Sequence, residues 1–104
     1  MANPLAGEVE VIIDGTPHCC KLTLGAMAEL EASLGTNSLV DLVQRFEVGK
    51  FSSRDVMALI VAGLRGGGWD GNAADLIRAD IAGGAVGAAQ AAAHLLVSAF
   101  SPPA

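Results

Sequence analysis

Tyrosine is absent from this sequence, and aromatic residues make up only 4% of it. A core built around large rings is excluded, so Ala, Leu, Val and Ile must supply it. Basic residues are also scarce: six Lys and Arg stand against eleven Asp and Glu, for a formal net charge of −5 at pH 7. A nucleic-acid backbone binder needs a basic face, and so does a protein that docks on anionic lipid. Neither class fits. The balance favours solubility and a basic protein partner. Cysteine is limited to the adjacent pair Cys19 and Cys20, without the C-x-x-C spacing of a metal or redox site. Neighbours on a strand point to opposite faces, so a bridge between them would be a strained vicinal disulfide. Two reduced thiols, buried or half-buried in a reducing cytosol, are expected.

The opening "MANPLAGEVEV" has no basic stretch and no long apolar stretch, so no signal peptide is expected there. One long uncharged run does exist, Ile81 to Phe100, "IAGGAVGAAQAAAHLLVSAF". It is long enough to span a bilayer and contains Gly83-x-x-x-Gly87. It is also mostly Ala and Gly, carries Gln90 and His94, and has no flanking basic anchors. A buried helix with small residues at its contacts is the expectation.

What is present is apolar material, 52% of 104 residues, enough for one domain over 1–104. Such a chain buries roughly 60–70% of its unfolded surface. "EVEVII", residues 8–13, alternates, with Val9, Val11 and Ile13 on one face. Asp14-Gly15 is a strong hairpin signal, and "TPHCCKLTL", residues 16–24, is the return strand. A two-residue loop sets Ile13 opposite Thr16, Ile12 opposite Pro17, Val11 opposite His18, Val9 opposite Cys20 and Glu8 opposite Lys21. That register pairs opposite charges. It also places Pro17 where its missing N–H costs no ladder bond. Leu22 and Leu24 then continue the Val9/Val11 face, which a helix must cover.

From Gly25 the period changes from two to 3.6, with Met27, Leu30 and Leu34 in one stripe and Gly35 as its stop. Thr36, Asn37 and Ser38 are candidate caps for a second helix carrying Leu39, Leu42, Val43 and Phe46. Ser52-x-x-Asp55 reads as a capping box with Asp in the usual Glu position. The helix after it is apolar almost all round, which marks a central helix. Asn72 caps a fourth helix, and a fifth closes the chain. The predicted architecture is α+β: a two-stranded antiparallel hairpin over 8–24, packed on a bundle of about five short helices. Their approximate ranges are 26–34, 38–48, 53–65, 73–81 and 85–100.

Candidate chemistry is thin. "GLRGGGW", residues 63–69, lacks the Lys and Ser/Thr that a phosphate-binding loop needs after its glycines. It reads as a helix stop whose glycines give a partner backbone close approach. His18 and His94 are far apart in sequence, so a Cys-His nucleophile would require one of the thiols to meet His94 in space. Glu29 and Glu31 diverge by about 200° on a helix and are no carboxylate pair. No catalytic, cofactor or metal residues emerge. Trp69, the only Trp, completes the core or, exposed beside Arg65, forms a binding hot spot. Arg65 and Trp69 are the candidate partner-binding residues.

"GEVEVIIDG", then "LTLGAMAELEASLG", then "LRGGG", then an Ala-rich closing helix follow one another from Gly7 to Phe100. In this order they resemble the gene-transfer-agent family of small phage-like proteins. Members of that family are described as tail assembly chaperones or tail-tube-associated proteins. The resemblance implies a bacterial cytoplasmic protein with no enzyme activity and no cofactor. It implies a tail assembly chaperone that binds a tape measure or tail tube protein, or alternatively a structural component retained in the tail-like particle. A homo-oligomer is compatible with either. The chaperone reading predicts an exposed apolar patch or groove larger than a monomer usually shows.

Overall fold

Two residues with positive φ make the first decision in this fold. Asp14 (φ 49°) and Gly15 (φ 80°) form a tight turn whose twist matches that of the flanking strands. In the computed structural model, which describes residues 7–34 and 39–100, the turn joins β1 (Glu8–Ile13) to β2 (Thr16–Lys21). The two strands are antiparallel, with Glu8 opposite Lys21, Val9 opposite Cys20 and Ile12 opposite Pro17. This is the register that the turn predicts. Val11, Ile13 and Cys20 are buried on one face, with Val9 partly buried beside them. Cys19, on the other face, is exposed, so only one of the two thiols is covered.

Five helices follow: α1 (Leu24–Leu34), α2 (Leu39–Glu47), α3 (Ser53–Gly66), α4 (Ala73–Leu76) and α5 (Gly84–Phe100). α3 is the central one. It packs on α1, β2, α4 and α5, and Leu59, Ile60 and Leu64 along it are fully buried. α5 also reaches across to β1, so hairpin and helices share one core. The α+β architecture is as predicted.

Two elements differ from their sequence-based bounds. The return strand stops at Lys21 rather than at Leu24. Thr23 turns the chain into α1: its Oγ1 accepts from the Ala26 amide (3.1 Å) and its carbonyl accepts from the Met27 amide (2.8 Å). Leu22 stays in the core, but Leu24 becomes the first helical residue and is 81% exposed. The fourth helix is a single turn instead of the stretch 73–81. Its continuation is claimed by the hairpin. The Asp14 amide donates to the Asp80 carbonyl (2.8 Å), and the Ala82 amide donates to the Ile12 carbonyl (3.0 Å). Ile13 and Ile81 form an antiparallel bridge. Covering the open edge of β1 outweighs the roughly one and a half further helical turns that 77–81 would add. The predicted stops and caps at 35–38 lie outside the described residues.

The capping box at α3 is reciprocal. Ser52 Oγ accepts from the Asp55 amide (3.1 Å), and Asp55 Oδ2 accepts from the Ser52 amide (2.9 Å). Asn72 and Asp75 do the same at α4. Asp55 has a second partner that its position in the sequence does not reveal: Arg45 Nη1 of α2 lies 3.2 Å from its carboxylate, tying α2 to α3.

Candidate functional site

The run "LRGGG" brings the end of α3 onto β2. Pro17 cannot donate, so it occupies a non-hydrogen-bonded pair. The carbonyls of Cys19 and Lys21, two and four residues on, therefore point away from β1. The end of α3 lies along that open edge. A Cβ at Gly66 would sit 1.9 Å from the Lys21 carbonyl oxygen, and one at Gly67 would sit 1.9 Å from that of Cys19. Only hydrogen fits there. The close approach expected for a partner's backbone is made instead to the chain's own strand. These glycines shield an edge that would otherwise recruit another strand.

One residue before Gly66, the α3 end presents its polar side. Arg65 Nε donates to Glu29 Oε1 (2.8 Å), Nη2 donates to Glu29 Oε2 (3.3 Å), and Nη1 donates to the Gly71 carbonyl (3.2 Å). The fork thus joins α1, α3 and the loop after α3. Hydrogen bonding and charge from Arg65 hold the Glu29 carboxyl below its ordinary pKa, and the same contacts with Glu29 raise that of Arg65. Trp69 is half-buried. One side packs against the core, and its ring covers Gly71, where a Cβ would lie 2.2 Å from the indole. Arg65 and Trp69 therefore line one shallow cleft of about 390 Å³, together with Glu29, Thr23 and Asp70. The fold brings the two candidate partner-binding residues together. Glu29, 36 positions before Arg65, is the member that sequence reasoning missed, because no local periodicity links it to the arginine.

A second concavity is apolar. It holds about 300 Å³ between the N-terminal halves of α3 and α5, lined by Phe51, Met57, Ile60, Leu76, Ile81 and Ala88 among others. Phe51 stacks on Phe46 of α2 at 4.4 Å between ring centroids. Among the described residues, no group of three or more His, Cys, Asp or Glu is placed to hold a metal. Cys20 lies in the core beside Gly63, and burial with the neighbouring Cys19 pushes its thiol up to about 12. Desolvation and the nearby Glu8 also raise Cys19. Neither thiol is activated as a nucleophile. No described helix is long and apolar enough to cross a membrane.

A family model described as "Phage tail tube protein, GTA-gp10" matches residues 6–102. The chain belongs to this family. The match spans the hairpin, all five helices and both concavities, so family membership applies to the whole described fold. It agrees with the gene-transfer-agent resemblance. The family description names a tail tube protein, which fits a structural tail component better than a chaperone. No curated protein and no solved structure gives a match.

Proposed function

We propose that this chain is a non-enzymatic structural component of a phage-like or gene-transfer-agent tail, retained in the particle and held by contacts with other tail proteins. One observation carries the reading: the tail tube family match covers 6–102, which leaves almost none of the chain for a different task. The surface is consistent with such a role. It offers a Trp–Arg cleft, of the residue types enriched in binding hot spots, and an apolar groove. The partner is a tube or tape measure protein, met first in the bacterial cytoplasm where tails assemble.

The apolar groove supports a second reading, a tail assembly chaperone that covers a client's apolar segment before the tube forms. Mass spectrometry of purified particles separates the two. A tube component is present in fixed stoichiometry with the other tail proteins. A protein that binds tail precursors but is missing from finished particles is a chaperone, and the structural reading then fails.

A further inference from the structure

The hairpin has two edges, and the fold treats them differently. The β2 edge lies against the end of α3 at Gly66 and Gly67. On β1 the residues whose backbone groups point outward are Glu8, Glu10 and Ile12, because Ile12 faces Pro17 at a non-hydrogen-bonded position and the pattern alternates from there. Segment 80–82 pairs with the Ile12 carbonyl and the Asp14 amide and goes no further. Gly83 (φ 84°) and Gly84 (φ 64°) then turn the chain away into α5. Among the described residues, the Ile12 amide and both backbone groups of Glu10 have no backbone partner beyond β1. Both residues are exposed.

We propose that this open stretch of β1, centred on Glu10, takes up an extended segment of another protein as a third strand, and that the segment alternates apolar and basic residues. The proposal is read from the sheet edge and does not depend on the tail assignment. The backbone is the first argument. The Ile12 amide, the Glu10 carbonyl and the Glu10 amide follow one another along one edge. That row is a template for a strand. A helix cannot use it, because a helix pairs its own backbone groups internally.

Charge is the second argument. Glu10 lies opposite Cys19, and among the described residues no cation pairs with its carboxylate. A residue beside Glu10 on an added strand comes within about 5 Å of it between Cβ atoms, so Lys or Arg is favoured there and Asp or Glu is disfavoured. The same rule makes a second copy the wrong occupant. Two β1 edges paired about a two-fold axis at Glu10 set glutamate against glutamate, and an axis at Val9 sets Glu8 against Glu10, between chains that each carry a net −5. The other face is the third argument. Val11 is buried there and Val9 partly buried, where α5 packs on β1. The residues flanking the basic one fall beside these valines, and apolar side chains suit that position.

Titration of the full chain with a short synthetic peptide alternating Val and Lys, followed by amide NMR, tests this. Without peptide, the Glu10 and Ile12 amides exchange with solvent faster than those of Val9, Val11 and Ile13, which face β2. With peptide, the Glu10 and Ile12 signals shift and their exchange slows. The same peptide with Glu in place of Lys binds at least about fivefold more weakly. Glu10→Lys, a change at an exposed position, reverses that preference. A Val–Lys peptide methylated on its backbone nitrogens keeps its charge but loses its strand donors, and it does not bind. Glu10 and Ile12 amides that stay unmoved at every peptide concentration overturn the proposal. So does equal binding of the Lys and Glu peptides, or undiminished binding of the methylated one. Self-association of the chain through these two amides overturns the choice of occupant.

Discussion

Gly25 and Gly66 both lie inside helices, yet replacing each with Ala is expected to change stability in opposite directions. At Gly66 the new Cβ would fall 1.9 Å from the Lys21 carbonyl oxygen and 3.3 Å from Ala26 Cβ. The obstacle is backbone, and β2 is held by its pairing with β1, so no rotamer change relieves it. The end of α3 and β2 must separate by roughly 1 Å, which loosens Cys20 and Leu64 in the core. Overpacking of this kind costs about 1–3 kcal/mol, and exposing the strand edge adds to it. The helix-propensity gain of at most ~1 kcal/mol offsets little, because Gly66 is the last helical residue. A net loss of about 2–3 kcal/mol follows. For a domain of this size that lowers Tm by roughly 10–20 °C.

Gly25, in the first turn of α1, has no atom within 4 Å of its would-be Cβ and no positive φ. Ala there restricts the unfolded chain without a clash and adds about 0.5 kcal/mol, raising Tm by ~2–4 °C. Thermal melts followed by far-UV circular dichroism on both variants check the pair. A Gly66→Ala protein that melts at or above the wild-type temperature refutes the reasoning, because it would mean that the end of α3 is not seated on β2.

Four further outcomes follow from the buried and paired groups. Asp55→Ala removes the α3 capping box and the partner of Arg45 together; a loss of about 2–4 kcal/mol is expected in urea unfolding, with the slope unchanged. A thiol reagent should label Cys19 alone in the native protein and both cysteines once unfolded. Because the folded Cys20 thiol titrates near 12 against an ordinary 9.0, its contribution to stability is fully present below pH 9.0 and is lost as pH rises from there toward 12. Unfolding monitored across that range shows the decline, and Cys20→Ala flattens it. Glu29 behaves oppositely. Its depressed pKa gives support that is present above pH 4.5 and lost as pH falls through the folded midpoint; an NMR titration should show that midpoint move back toward 4.5 in Arg65→Leu.

Much of the scaffold was readable along the chain. The hairpin register followed from Asp14-Gly15, because a two-residue loop leaves no freedom to slide and the alternation of Val9, Val11 and Ile13 selects the buried face. The Ser52–Asp55 and Asn72 caps were legible for the same reason: a cap acts within three residues of itself. Arg65 and Trp69 were legible as a pair because both cluster at one helix end.

Contacts between distant segments were not legible. Glu29 gives no sign of Arg65, nor Asp55 of Arg45, since an ion pair across 36 or 10 positions leaves no periodic trace. Leu24 carries the residue type of a core position but is turned out by the Thr23 cap one residue earlier. The segment 77–81 has helical pattern but gives its backbone to the edge of β1. The sequence alone determined the hairpin register, the α3 and α4 caps and the family. The tertiary structure decided which of two satisfactory hydrogen-bond partners each end of an element takes, because that choice depends on what else needs covering nearby.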